Sequence, residues 1–126
     1  MRYKLLLSSL IISGSCFAQD IQSFKNDYYK LTNDYVEIQN ERNQVIATPE
    51  GNTTKEIETR SKKLKKLDCI GWKTNIELYN LIVKALDTFA QSSNKPEELA
   101  SYSKELLVSD LDYLKEAIEN PQNNCQ

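Results

Sequence analysis

Apolar residues recur at steps of three and four along most of the chain, and the rhythm fails where proline or glycine stands. Over 20–47, Ile21, Phe24, Tyr28, Leu31, Tyr35, Ile38 and Val45 follow these steps, with Arg42 the one interruption. Such a repeat puts every named side chain on one stripe of a helix, suited to packing against a second helix. The run Thr48, Pro49, Glu50, Gly51, Asn52 stops it. Thr53 followed by Glu56 has the form of a capping box, in which each side chain satisfies an otherwise unpaired amide of the next helix's first turn, so a new helix is expected from near Thr54.

From there Ile57, Leu64, Leu67, Thr74, Leu78, Leu81, Ala85, Leu86 and Phe89 keep helical spacing to about residue 91. Gly71 is the weak point, at about 1 kcal/mol relative to alanine inside a helix. The spacing therefore admits either one long helix or two helices bent across 68–72. Ser92, Ser93, Asn94 and Lys95 make a polar turn. Pro96 with Glu97 and Glu98 reads as the first turn of a last helix, where proline loses no hydrogen bond and carboxylates complement the helix dipole. That helix is expected to reach about residue 120, with Leu99, Tyr102, Leu106, Leu107, Leu111, Leu114, Ala117 and Ile118 inward, and Pro121 ends it. The fold class is all-α: a small antiparallel up-down-up bundle of three helices, the middle one continuous or else kinked or split near Gly71, closed by one disulfide.

The bridge follows from compartment and register. Arg2 and Lys4 precede an apolar run over 5–12, too short to span a bilayer, and Cys16, Phe17 and Ala18 then place small side chains where a signal peptidase needs them. Residues 1–18 are expected to be a secretory signal peptide and 19–126 a single helical-bundle domain. A lipoprotein signal with Cys16 lipidated is the competing reading, disfavoured because Ser13 stands where a branched apolar residue is usual. After cleavage only Cys69 and Cys125 remain, an even count that reads as a structural bridge in an oxidising compartment. If the chain reverses over 92–95, neighbouring indices total about 187, so Asn120 falls beside Leu67 and the tail can carry Cys125 to Cys69.

Charge narrows the partners. The chain carries 16 Lys and Arg against 18 Asp and Glu, and loss of Arg2 and Lys4 with the leader leaves 14 against 18, a net charge of −4. Nucleic acid and anionic membranes demand the opposite balance, so neither is an expected partner, and no membrane insertion is expected after cleavage. The chain has no histidine, which removes the commonest general base, the usual activator of a serine or cysteine nucleophile and the commonest metal ligand. No phosphate loop or calcium loop is present, and no cofactor, metal or catalytic residue is expected. Glu37 and Glu41 lie one turn apart as an ordinary solvated pair, and Asp110 and Asp112 point to different faces.

The basic run Arg60, Lys62, Lys63, Lys65 and Lys66 has two readings. A hairpin turn near residue 50 makes neighbours across it total about 101, setting Arg60 against Glu41 and Lys63 near Glu37 and Asp34, which are register-setting pairs beside the seam. Partner binding is the second reading. Tyr29 lies beside the apolar stripe and is expected to be half exposed. Trp72, the only tryptophan, follows the suspected bend and serves either as packing beside the bridge or as a binding anchor. Asn52-Thr53-Thr54 matches a glycosylation acceptor, though the cap explains these residues unaided.

The functional expectation is an exported, periplasmic or secreted, non-catalytic protein-binding module of the cell envelope, of inhibitor or immunity type. Its candidate contacts are Trp72, Tyr29, Arg60, Lys62, Lys63, Lys65 and Lys66. The alternative is a periplasmic structural or chaperone-like coiled-coil protein that associates with itself through ledges of apolar seam left along a long middle helix.

Overall fold

The computed structural model describes residues 20–125 in full and, for residues 2–19, the backbone alone. The leader expected over 1–18, with Cys16 and the cleavage point, lies outside the fully described residues. The elements are α1 (Arg2–Ala47), α2 (Thr54–Thr88) and α3 (Lys104–Glu119), with 3₁₀ turns at Glu97–Ser101 and Pro121–Asn123. Both α1 and α3 pack on α2. No strand occurs among the described residues, and no described helix is long and apolar enough to cross a membrane.

The first reversal is built as the sequence suggests. Thr53 Oγ1 accepts from the Glu56 amide at 3.2 Å, while Glu56 Oε2 accepts from the Thr53 and Asn52 amides at 3.1 and 2.9 Å. Those backbone donors, Thr53 first, hold the Glu56 carboxyl below its ordinary pKa. Gly51 sits at φ +90°, and a Cβ there would lie 2.5 Å from Glu56 Oε2, so the turn and the cap both need glycine.

Helix α2 runs unbroken through Gly71, which settles the middle helix as a single rod of 35 residues. Gly71 is buried against α1, and a Cβ built on it would meet Ile38 Cγ2 and Gln39 Nε2, each at 3.7 Å. That separation is ordinary contact, so a methyl group fits without displacement. Gly71→Ala is expected to gain the helix-propensity difference of about 1 kcal/mol, a rise in Tm of about 5 °C that thermal unfolding followed by circular dichroism checks.

Register across the first reversal differs from expectation. Arg42 Nε meets Asp68 Oδ1 at 2.6 Å, and Arg60 Nε and Nη2 donate to the Val45 and Ile46 carbonyls at 3.3 and 2.9 Å. The expected contact of Arg60 with Glu41 is therefore replaced: Arg60 caps the unpaired carbonyls at the end of α1 and lies 3.9 Å from Glu50. The six-residue loop runs along the bundle rather than directly across it, so α2 begins beyond the end of α1 and every later pairing shifts. Arg42, which only interrupted the stripe in the sequence, forms the ion pair that joins α1 to α2.

The second reversal departs further. Pro96 does not open the last α-helix; it opens the 3₁₀ turn, and Tyr102 (ψ 142°) and Ser103 (ψ 125°) are extended before α3 begins at Lys104. Those two extended residues reset the helical phase. Leu99 is buried ahead of the break, and behind it Leu107, Leu111 and Leu114 are buried, while Leu106, expected inward by continuing the Leu99–Tyr102 stripe, is 68% exposed. The core lies where the turn meets the helices: Phe24, Leu78, Ile82, Ala85, Phe89, Leu99 and Leu107, ringed by Ile21, Tyr28, Leu31, Tyr79 and Tyr102.

One contact ties this end to α1. Glu98 Oε1 accepts from the Tyr29 hydroxyl at 3.1 Å and lies 3.6 Å from Lys25 Nζ, and the Glu98 side chain is only 6% exposed. Burial pushes this carboxyl up, but its own amide, the Tyr29 hydroxyl and the Lys25 ammonium together outweigh burial and hold it below its ordinary value of 4.5. A depressed folded pKa contributes stability that is present above the unfolded value and is lost as pH falls through the folded one. Melts between neutral pH and acid are therefore expected to show a smaller loss of Tm for Glu98→Gln than for the wild type.

Candidate functional site

The sequence brings lysines to α2 at positions 62, 65, 66 and 73, and helical spacing stacks them with Cys69 on one face. The tail arrives there from α3. Asn120 caps the turn Pro121–Asn123 by accepting from the Gln122 amide at 3.0 Å, and Asn123 Nδ2 donates to the Ala117 carbonyl at 2.6 Å. Asn124 takes left-handed backbone (φ 57°, ψ 38°), which asparagine tolerates better than most residues, and turns the chain so that Cys125 meets α2. Cys69 and Cys125 are bonded, with Cα atoms 5.3 Å apart, and both are buried. Lys73 Nζ donates to the Cys125 carbonyl at 3.0 Å and fixes the last described residue from the far side.

These groups enclose a cleft of about 430 Å³ lined by Lys62, Lys65, Lys66, Cys69, Ile70, Lys73, Asn123, Asn124 and Cys125. Its floor is the disulfide and Ile70, which is 39% exposed, and its rim is ammonium groups. Among the described residues no carboxylate lines it, and no ion pair engages Lys62, Lys65, Lys66 or Lys73. Four positive charges share one wall on a chain whose net charge is −2. The arrangement suits an anionic group with some apolar surface.

The other expected site residues fall elsewhere. Arg60 and Lys63 line a separate cleft of about 490 Å³ at the hairpin end, with Val45, Pro49, Glu50, Lys55 and Glu56. Two carboxylates there offset two of the three cations, so this cleft has the weaker claim on an anion. Trp72 is half-buried in the middle of an unbroken helix, not displayed at a bend. Tyr29 is 50% exposed and its hydroxyl is taken by Glu98, first as hydrogen-bond acceptor and then as a negative charge, both of which raise its pKa.

Two features carry no signal in the sequence. Ile70 belongs to the cleft because it is set among lysines, a position that apolar periodicity assigns to no core. The tyrosines Tyr28 and Tyr102 join hydroxyls at 3.0 Å, and burial first, then this hydrogen bond, push the Tyr102 hydroxyl up to about 12. That pair fastens the end of the 3₁₀ turn to α1.

Among the described residues no group of three or more acidic or cysteine side chains is arranged to hold a metal ion. The chain matches no protein-family model, no curated protein and no solved structure.

Proposed function

We propose that this protein is an exported, non-catalytic binding module of the cell envelope that holds an acidic protein partner at the lysine cleft beside the Cys69–Cys125 bond. The observation that carries the reading is the cleft itself: Lys62, Lys65, Lys66 and Lys73 converge with no opposing carboxylate among the described residues, on a wall fixed by a covalent bond. Unneutralised like charges repel one another, so their convergence is a cost that a bound anion removes. A rigid wall also avoids much of the ordering entropy that binding otherwise demands. The absence of histidine from the sequence supports the non-catalytic half of the proposal, and the leader pattern together with the paired cysteines supports export.

Immobilised mature protein tests this against envelope extract of the cells that make it. A defined protein retained by the wild type and released by Lys62→Glu/Lys65→Glu/Lys66→Glu is the expected result. Retention of nothing by either form ends the reading.

A second reading has one specific observation in its favour. Leu106 and Tyr113, seven residues apart on a flank of α3, are 68% and 70% exposed and present an apolar edge of the kind that pairs helices between chains. Self-association through that edge makes the protein a structural module. Light scattering separates the two: a monodisperse monomer favours the dedicated binder, and a dimer dissolved by Leu106→Glu favours self-association.

A further inference from the structure

We infer that the occupant of the lysine cleft is an amphipathic helix of the partner, acidic along one edge, lying on α2 along the line that α3 leaves empty. This rests on the binding reading above and specifies its ligand. Helix α3 docks along α2 from Asp87, which takes Lys104 Nζ at 2.7 Å, towards Cys69, where the tail is fastened by the disulfide. Its 16 residues are fewer than half the 35 of α2. Beyond Cys69 the segment 54–66 therefore continues without a third helix for about 20 Å, at about 1.5 Å per residue. The end of α1 reaches this segment only near its middle, where Arg60 donates to the Val45 and Ile46 carbonyls.

What the vacant line presents distinguishes its occupant. Had it been apolar, a second copy of the chain would suit it. It carries Lys62, Lys65 and Lys66, with Glu58 one turn before Lys62 on the same face, so this net-acidic protein has placed an exposed strip of net positive charge where a third helix of a bundle would lie. Three lysines within five residues span barely more than one helical turn, which a carboxylate ladder at spacings of three and four meets from the facing helix. Ile70 and the disulfide supply an apolar contact at the end of the strip, which a bare polyanion has no means of using. The lysines act as point charges rather than as planar forks for phosphate.

The probes are two labelled synthetic peptides of about 18 residues, long enough to cover the strip, with identical Glu, Leu and Ala content. One sets Glu and Leu at helical spacing along one face, and the other has the same residues scrambled. Inorganic tripolyphosphate is the third probe, and the disulfide-bonded mature protein is used throughout. Fluorescence anisotropy is expected to show the patterned peptide bound at least about tenfold more tightly than the scrambled one. Its affinity should fall by about tenfold or more on Lys62→Glu/Lys65→Glu/Lys66→Glu and weaken from about 0.05 M to about 0.5 M salt. Ile70→Ser, which removes the apolar contact without adding charge, should weaken the patterned peptide and leave tripolyphosphate unchanged.

Equal binding of the two peptides overturns the helical occupant, as does tripolyphosphate binding more tightly than the patterned peptide. Failure of all three probes, with an envelope protein still captured through the same lysines, overturns the helix and leaves the binding reading standing. Failure of both the probes and the capture removes the two together. Circular dichroism melts and non-reducing mass on each variant establish that a lost affinity is not a lost fold.

Discussion

Removing the Cys69–Cys125 bond, by Cys125→Ala or by reduction, is expected to lower the free energy of unfolding by about 4 kcal/mol, the largest effect of any single change outside the core. The bridge joins residues 56 apart, and in the chain-entropy account the loss scales with the logarithm of the loop it closes in the unfolded chain. A domain's whole stability is typically about 5 to 15 kcal/mol, so the reduced protein should be marginal at body temperature. Chemical denaturation of oxidised and reduced protein, with midpoint and slope compared, measures the loss. A change below about 1 kcal/mol would mean that the unfolded chain is already held compact by other means. The effect has a local part as well. The tail from Asn120 onward is otherwise held by few contacts, namely Asn123 on the Ala117 carbonyl and Lys73 on the Cys125 carbonyl. In the reduced protein these should open first, so hydrogen exchange should speed up in 120–125 before α3 itself loosens. Because the tail forms one wall of the lysine cleft, affinity for an acidic partner should fall together with that protection, and earlier than global unfolding.

Local signals were the ones legible without coordinates. The Thr53–Glu56 cap, the stripe from Ile21 to Val45 and the pairing of Cys69 with Cys125 each depend on neighbours in sequence or on a count of cysteines, and the fold agrees with all three. What periodicity cannot carry is phase across a connection. A loop that climbs along a helix shifts register, which moved Arg60 from Glu41 to the end of α1 and gave Asp68 to Arg42. Two extended residues, Tyr102 and Ser103, rotated α3 so that Leu107 faces inward and Leu106 does not. Both stripes were present in the sequence, and only the backbone between them decides which is used. The same limit explains the lysines. Lys62, Lys65, Lys66 and Lys63 read as a single run, but a helix distributes consecutive residues around its axis, so three of them reach the disulfide cleft while Lys63 joins the hairpin cleft. Lys73, seven residues beyond Lys66, joined the site by helical phase and by its bond to the tail.

Ile82→Ala should destabilise the fold by about 3 kcal/mol, within the range of about 2 to 5 kcal/mol for emptying a packed aliphatic site. Among the described residues Ile82 is the one large side chain with no exposure, and it lies on the face of α2 that meets both the first helix and the turn ahead of α3. Phe24, Phe89, Leu99 and Leu107 belong to that same cluster and come from different segments, so no single element can collapse into the space left behind. Leu106→Ala is the matched control. It removes comparable apolar volume from a residue 68% exposed, and a change within about 0.5 kcal/mol is expected. The decisive comparison is the double change with Cys125→Ala. Ile82 and Cys69 are 13 residues apart on one helix, about 20 Å at about 1.5 Å per residue, with no shared neighbours in the core cluster. If α2 serves only as the rod that carries a core at one end and a staple at the other, the two losses add to within about 0.5 kcal/mol. If denaturant curves show them falling well short of additive, the disulfide and the core stabilise one cooperative step, and the cleft's geometry depends on packing more than three full turns away from it.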